Sequence, residues 1–239
     1  TCMLAVGITD VLEILPSDEF HFSHSGIPFI DGDGKNLVVQ AYELIKAKYK
    51  IGCVAIHLQK NIPMGAGLGG GSADATYTLL GLNELFHLKL SDATLEDLAS
   101  ELGSDCAFFV YDSPQIATGR GEILENVSLD LKGKFLKIIN SGVHIGTKEA
   151  YANVSFSPDD KCIKDILKLP ISEWKGSLKN DFEVSAFNKY ESLSIIKDKL
   201  YAEGAIYASM TGSGSTMYGL YNEHPLLWDG DLFERIVEL

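Results

Sequence analysis

The sequence predicts an α+β fold with two domains. Its 239 residues, 46% of them hydrophobic, are enough for one large core or two smaller ones. Runs with strand periodicity and runs with helix periodicity are mixed along the chain, without the strict alternation of βαβ units. The pattern starts again near Lys134. We therefore expect an N-terminal domain over residues 1–133 and a C-terminal domain over residues 134–239.

In the N-terminal half, strands are predicted over residues 4–15, 20–24 and 53–58, with a hairpin over residues 116–124. Helices are predicted over residues 36–49, 72–86 and 95–102. Asn36 can cap the first of these helices, Thr94 can cap the third, and Gly103 can end it. Residues 31–34 have the composition of a turn.

In the C-terminal half, strands are predicted over residues 135–140, 206–210 and 217–221. Helices are predicted over residues 180–189 and 193–203, and a further one begins at residue 147. Residues 157–179 are polar, with short helical pieces. The pattern over residues 232–237 fits a helix and a strand equally well.

The balance of charge is acidic, with 33 Asp and Glu against 20 Lys and Arg and a formal net charge of −13. Nucleic-acid binding needs a basic face that releases counterions, so we expect no nucleic-acid partner. No window has the roughly 18 apolar residues of a membrane helix, so no membrane partner is expected either. Scattered cysteines without metal-binding spacing indicate reduced thiols in a cytoplasmic protein, at Cys2, Cys53, Cys106 and Cys162.

The most informative stretch is the glycine loop, residues 65–71, in which five of seven residues are glycine. So much backbone freedom is used where a ligand or another chain segment must approach the main chain closely. An apolar strand precedes the loop, and Ser72 opens the predicted helix after it. Backbone amides at a helix N-terminus bind phosphate groups. The stretch therefore predicts a polyphosphate site.

Two common phosphate loops fit this stretch poorly. The spacing of Gly65, Gly67 and Gly70 matches the dinucleotide fingerprint, but residues 60–63 separate the loop from its strand, and Glu84 lies inside a predicted helix rather than at a strand end. The stretch also resembles a Walker loop, but it lacks the lysine of that motif. The HRD and DFG motifs of protein kinases are absent as well.

Residues 63–75 read PMGAGLGGGSADA, which resembles the ATP-binding motif of the GHMP kinase superfamily. Four further segments agree with that family, namely NLVVQA at 36–41, LGSDCAFF at 102–109, NDFE at 180–183 and MTGSGS at 210–215. Ala107 departs from a frequent proline. The Lys-x-Asn and Asp-Gly-Tyr-His segments that open the family's chains are not found, so we expect that a segment upstream of Thr1 carries them, including a lysine near the reacting groups.

The resemblance implies a two-domain fold, with an N-terminal domain like domain 2 of ribosomal protein S5 and a ferredoxin-like C-terminal domain. It implies an ATP-dependent kinase with Mg²⁺ as cofactor and a small-molecule alcohol as substrate. Within the superfamily, the motif is most similar to kinases of isoprenoid biosynthesis that phosphorylate a cytidine diphosphate ester of a polyol. A kinase for homoserine or mevalonate, and a nucleotide-binding protein without catalysis, remain as alternatives. A homodimer is compatible with the sequence.

The resemblance also implies which residues bind ATP: Asn36, Lys60, Pro63, Gly65, Ala66, Gly67, Leu68, Gly69, Gly70, Gly71 and Ser72. A simple N-cap role accounts equally for Asn36, and a solvated strand end accounts equally for Lys60. Ser72 is a candidate Mg²⁺ ligand as well as a candidate N-cap. For Asp74, in the first helical turn as predicted, a capping role is favoured over a metal role.

Asp105 is the candidate catalytic residue, because the family uses this aspartate to orient and deprotonate the acceptor hydroxyl. From its position alone Asp105 is equally a turn or cap residue. Its neighbour Cys106 is expected to be a buried apolar residue rather than a reactive thiol. The resemblance also assigns a lid over the phosphates to Thr211, Gly212, Ser213 and Gly214, and a cytidine pocket to residues 141–144 and Thr147.

Overall fold

The computed structural model of the chain describes residues 1–28, 36–111, 113–152, 154, 162–230 and 232–239. The turn predicted at residues 31–34 lies outside this range. The chain forms two compact units. Unit 1 comprises Thr1–Ala5, Thr9–Met64 and Gly69–Val127, and unit 2 comprises Val6–Ile8, Gly65–Leu68 and Ser128–Leu239. The domain boundary expected between residues 133 and 134 stays a prediction.

The described residues of unit 1 form two three-stranded sheets and three α-helices. Its strands are β1 (Cys2–Met3), β2 (Val11–Ser17), β3 (His21–Gly26), β4 (Cys53–Lys60), β5 (Gln115–Thr118) and β6 (Ile123–Asn126). Its helices are α1 (Leu37–Lys48), α2 (Gly70–Leu85) and α3 (Asp92–Leu102), followed by a 3₁₀ turn at Ala107–Val110. In one sheet β4 lies between antiparallel β2 and parallel β3. In the other, β5 pairs with β1 and β6, so the predicted hairpin is confirmed.

The core of unit 1 follows from the periodicity of its elements. Alternate residues of β4, Val54, Ile56 and Leu58, are buried on one face of the strand. Apolar residues of α1 and α2 pack into the same cluster, among them Ile45 and Leu79. Two elements of this core have ends that bear on the site: β4 ends at Lys60, and α2 begins at Gly70.

In unit 2 the described residues form an antiparallel sheet with the strand order β10-β7-β9-β8. Its strands are β7 (Phe135–Asn140), β8 (Tyr207–Met210), β9 (Thr216–Tyr221) and β10 (Phe233–Glu238). Its helices are α4 (Thr147–Ala152), α5 (Ile163–Leu167), α6 (Phe182–Lys189) and α7 (Glu191–Ala202), with a 3₁₀ turn at Ile171–Glu173. The C-terminal pattern that fitted helix and strand equally is thus a strand. No helix in the described ranges has the length and apolarity needed to cross a membrane.

Three predicted boundaries are wrong for identifiable reasons. The strand predicted over residues 4–15 begins only at Val11, as β2, since Asp10 just before it accepts bonds from the backbone amides of Asn61 and Ile62. Helix α3 begins at Asp92 because Ser91 is its N-cap, three residues before Thr94. Helix α2 begins at Gly70 rather than Ser72, since its first turn is made of glycines that sequence patterns assign to loops.

Candidate active-site residues

The N-terminus of α2 is an uncapped helix end. Gly69 is its N-cap residue, in the left-handed conformation with φ of 68°, and no side chain caps the helix. The first intrahelical bond runs from the Ala73 N–H to the Gly69 carbonyl at 2.9 Å. The N–H groups of Gly70, Gly71 and Ser72 therefore have no acceptor inside the helix. Such a terminus, with the positive end of the helix dipole, is suited to an anion.

Close packing keeps side chains out of this helix end. A Cβ atom on Gly69 would lie 3.1 Å from Cζ of Phe109, and one on Gly70 would lie 3.1 Å from Cγ2 of Ile62. Both distances are shorter than a normal carbon–carbon contact. The backbone at Gly69 and Gly70 consequently packs directly against Phe109 and Ile62. Ser72, predicted as an N-cap, is instead the third residue of the helix.

A buried charge cluster lies beneath the same helix end. The Lys60 ammonium donates to Oδ2 of Asp74 at 2.8 Å and also to Oδ2 of Asp10. Lys60 is 3% exposed, and both carboxylates are buried. A Cβ atom on Gly70 would lie 3.4 Å from the Lys60 Nζ. The interpretation of Lys60 as a solvated strand end is therefore wrong, whereas its assignment to the ATP site stays a prediction.

Asp74 belongs to this cluster and has no capping role. It is the fifth residue of α2, beyond the first turn, so the predicted cap is wrong. Desolvation raises the pKa of Asp74 to about 6 from 3.8, and the nearby Asp10 carboxylate adds to the rise, while Lys60 opposes it. Two buried carboxylates share one ammonium, so the fully ionised cluster carries a net charge of −1. Sequence reasoning missed Asp10, which lies 50 residues from Lys60 along the chain.

Asp105 lies in a short loop that one side chain of α2 holds in place. The Thr76 hydroxyl donates to the carbonyl of the next residue, Cys106, at 2.8 Å. Ser72 lies one helical turn before Thr76 on the same face of α2. The loop that carries the candidate catalytic carboxylate is thus bonded to the second turn of α2 within unit 1. Cys106 is fully buried, as predicted.

The Asp105 carboxyl is partly desolvated although the residue as a whole is exposed. This desolvation raises the pKa of Asp105 above its usual value of 3.8. One neighbour is the turn of the β5–β6 hairpin, where a Cβ atom on Gly121 would lie 3.4 Å from Oδ1 of Asp105. Among the described residues, none forms an ion pair with Asp105 that would lower this pKa, and burial is the cause of the rise. A carboxylate in such a place is a better proton acceptor than an ordinary surface aspartate.

The first part of the glycine loop, Gly65–Leu68, belongs to unit 2. Two of its carbonyl groups accept hydrogen bonds there, since the Thr211 hydroxyl donates to Gly67 at 3.0 Å and the Thr216 N–H donates to Ala66 at 3.2 Å. Gly67 has φ of 73°, and a Cβ atom on it would lie 2.4 Å from the Thr211 carbonyl oxygen. Only glycine fits there. The predicted lid, which we now call the C-terminal loop (residues 211–216), therefore contacts the carbonyl side of Gly65–Leu68.

The other site residues predicted from the sequence lie in both units. Asn36 caps α1, with the Val38 N–H donating to its Oδ1 at 2.9 Å, so the predicted cap is confirmed. His144 is exposed, and its ring packs on Gly65, where a Cβ atom would lie 2.7 Å from Cε1. Pro63 is half-buried in unit 1, and Thr147 is the first residue of α4. Within the described ranges, no group of three His, Cys, Asp or Glu residues could hold a metal ion.

Two family models match the chain: the GHMP kinases N terminal domain over residues 36–113 and the GHMP kinases C terminal domain over residues 163–226. The matched ranges contain the glycine loop, Asp105 and the C-terminal loop. The chain belongs to the GHMP kinases, which confirms both the resemblance and the predicted fold class. It is accordingly an ATP-dependent kinase of a small molecule.

Individual relatives indicate which GHMP kinases this chain resembles in sequence and structure. 4-Diphosphocytidyl-2-C-methyl-D-erythritol kinase of Cytophaga hutchinsonii is 45% identical over 226 residues, which are 94% of this chain and 84% of the relative. The crystal structure of 4-(cytidine 5'-diphospho)-2C-methyl-D-erythritol kinase superposes on this chain with a TM-score of 0.74 at 31% identity. The superposition includes 90% of this chain and 78% of the other. The homoserine kinase of Cytophaga hutchinsonii shares the fold, with a TM-score of 0.63 at 18% identity over 89% of this chain and 76% of the homoserine kinase.

The charge cluster leads to a prediction about stability. Lys60→Met leaves two buried carboxylates without their ammonium, so we expect the free energy of unfolding to fall by about 3–5 kcal/mol. Lys48→Met is the matched control, because the Lys48–Glu101 ion pair is exposed at 40% and 49% and is worth under about 1 kcal/mol. Urea denaturation followed by circular dichroism measures both. Equal losses in the two variants would contradict a buried structural role for Lys60.

The pKa of Asp74 leads to a second prediction. Between pH 3.8 and about 6 the folded chain keeps a proton that the unfolded chain has lost. The contribution of Asp74 to the free energy of unfolding therefore decreases as pH rises through this window. Asp74→Asn retains an acceptor for Lys60 and removes the titration. We expect its stability relative to wild type to increase from pH 4 to pH 6, by roughly 1–3 kcal/mol.

Denaturation at several pH values, with exposed Asp97→Asn on α3 as the control, makes this measurement. A constant difference between Asp74→Asn and wild type across the window would show that Asp74 is ionised throughout.

Proposed function

We propose that this kinase transfers the γ-phosphoryl group of ATP to the 2-hydroxyl of 4-diphosphocytidyl-2-C-methyl-D-erythritol. The choice of substrate rests on the relative of 45% identity and the crystal structure of 31% identity that carry this name. One geometric observation supports the chemistry: the loop that carries Asp105 is bonded through Thr76 to α2, whose uncapped N-terminus is the candidate anion site. The anion site and the proton acceptor are thus attached to the same helix.

The N-terminus of α2 would bind the phosphates of ATP. Its free N–H groups, at Gly70, Gly71 and Ser72, can donate to phosphate oxygens, and no side chain competes for them. The helix dipole adds up to about 2 kcal/mol for a partly buried anion. Gly65–Leu68 contributes in a different way, because its carbonyl groups at Ala66 and Gly67 are already bonded and do not repel the phosphates.

Asp105 would orient the acceptor hydroxyl and take its proton. In the transfer, a bond forms between the acceptor oxygen and the γ-phosphorus, the bond from that phosphorus to the bridging oxygen breaks, and ADP leaves with the bonding pair. The proton of the hydroxyl passes to the Asp105 carboxylate. The raised pKa of Asp105 favours this step, since a stronger base shares the proton more readily in the transition state.

Mg²⁺ would be held chiefly by the ATP phosphates, with Ser72 as the candidate protein ligand. An ion bound in this way would supply positive charge near the phosphoryl oxygens. Asp74 is poorly suited as a ligand, because its carboxylate is buried and bonded to Lys60. We also propose a cytoplasmic location, which the four free cysteines support. A homodimer stays a prediction, and sedimentation velocity at micromolar protein tests it.

A substrate panel tests the assigned reaction. Purified full-length protein is incubated with Mg-ATP and, in separate reactions, the cytidine diphosphate ester, homoserine and mevalonate. We expect ADP release and a new phosphomonoester, seen by ³¹P NMR, with the cytidine diphosphate ester alone. Turnover of homoserine or mevalonate without turnover of the ester would overturn the proposed substrate. ATP binding without transfer to any acceptor would indicate a nucleotide-binding protein without catalysis.

The role of Asp105 leads to a prediction about rate. Asp105→Asn keeps the size of the side chain and removes the base, so we expect kcat to fall by about 10²–10⁴-fold. In the wild type, kcat/KM should fall on the acid side at a pH above that of an ordinary aspartate, because the pKa of Asp105 is raised. Exposed Asp97→Asn should keep the wild-type rate. A full rate in Asp105→Asn would remove Asp105 from the mechanism.

A further inference from the structure

We propose that Asn180 and Glu183 are positioning residues of the ATP site. They fix the C-terminal loop (residues 211–216), and this loop in turn fixes Gly65–Leu68 of the glycine loop. Both residues belong to the sequence motif NDFE, but the motif alone does not indicate a role for either of them. The inference rests on the proposed function, because it takes the glycine loop as the binding site for the ATP phosphates. All contacts that carry it lie within unit 2.

Glu183 holds the end of β8. One of its carboxylate oxygens, Oε1, accepts bonds from the Met210 N–H at 2.8 Å and the Ser209 hydroxyl at 3.0 Å. The other oxygen accepts a bond from the Lys197 ammonium at 2.5 Å. Glu183 is 9% exposed, so its charge lies in a site where an unsatisfied oxygen would be costly. Each oxygen has a partner, and the last residue of β8 is thereby tied to α6.

Asn180 holds the first residues of the C-terminal loop. Its side-chain amide donates to the carbonyl of Met210 at 2.7 Å and to the carbonyl of Gly212 at 2.8 Å. These two carbonyls flank Thr211. The amide oxygen of Asn180 accepts a bond from the Phe182 N–H at 3.0 Å. One side chain therefore fixes the start of α6 and both sides of the residue that bonds the glycine loop.

The C-terminal loop, held by Asn180 and Glu183, in turn holds the backbone of the glycine loop. It is closed by its own bonds, from the Thr211 N–H to the Thr216 carbonyl at 2.9 Å and from the Gly214 N–H to the Thr211 carbonyl at 3.1 Å. Its two threonines then donate to the carbonyls of Ala66 and Gly67. A displacement of Thr211 would release a carbonyl oxygen toward bound phosphate or change the backbone path of Gly67. Either change weakens an anion site that is made of oriented backbone groups.

Asn180→Asp tests the first link with minimal change in shape. The substituted side chain keeps the oxygen that caps Phe182, but it places a second oxygen against the carbonyls of Met210 and Gly212. We expect the Kd for ATP, measured by calorimetry without acceptor, to rise at least about tenfold. The KM for ATP should rise in parallel, whereas the KM for the acceptor and the thermal midpoint should change little. An unchanged Kd in the folded variant would overturn the inference.

Two controls separate positioning from general destabilisation. Asn188→Asp makes the same chemical change at an exposed residue of α6 and should leave the Kd for ATP unchanged. Lys137→Met removes a buried lysine of β7 that pairs with Glu203 and Glu234, away from Glu183 and the C-terminal loop, so it should lower the thermal midpoint but not the affinity for ATP. If Lys137→Met weakens ATP binding as much as Asn180→Asp does, the effect is one of stability, and the inference fails.

A variant at the last link keeps the test decisive if Asn180→Asp does not fold. Thr211→Val removes the hydroxyl that donates to Gly67, and Thr211→Ser restores it. We expect a weaker affinity for ATP in Thr211→Val and recovery in Thr211→Ser, and equal affinities would overturn the inference. Because ATP binding is measured without acceptor, a wrong substrate assignment leaves these results readable. A wild type that does not bind ATP would overturn the proposed function and this inference together.

Discussion

The site in unit 1 depends on the buried ion pairs of the Lys60 ammonium. It lies between Asp10 and Asp74 and against Gly70, so it connects the end of β4, the segment before β2 and the first turns of α2. Buried charges are costly unless they are paired, so this arrangement tolerates little displacement. The helix end that we assign to phosphate binding consists of glycines, but the buried ion pairs beneath it fix its backbone. The orientation of its free amides is therefore set by the fold before a ligand binds.

A second constraint acts in unit 2, where hydrogen bonds rather than charges do the positioning. The carbonyls of Ala66 and Gly67 are bonded to Thr216 and Thr211, which leaves the remaining polar groups of that backbone for a ligand. The two halves of the glycine loop thus obtain their shape from different sources. Gly69–Gly71 is shaped by packing and a buried ion pair, and Gly65–Leu68 is shaped by a loop from the other end of the chain.

Local features of this site could be predicted from the sequence, and distant ones could not. The Asn36 cap acts over two residues, and the glycine loop is visible as a composition. The burial of Lys60 depends on Asp10, 50 residues away, which has no pattern of its own. Sequence patterns place the start of α2 two residues too late, because glycine has a poor helix propensity, which tertiary packing overrides here. The resemblance identifies the motif NDFE, but its contacts with Met210 and Gly212 follow only from the fold.

The close approach of Gly67 to the C-terminal loop has a consequence for how this sequence can change over evolutionary time. A Cβ atom at residue 67 would lie 2.4 Å from the Thr211 carbonyl oxygen, although the two residues are 144 positions apart. A side chain at residue 67 therefore requires a simultaneous rearrangement near residue 211, and an insertion in one segment requires compensation in the other. Each segment limits the substitutions that the other can accept, so both should drift more slowly than their exposure alone suggests.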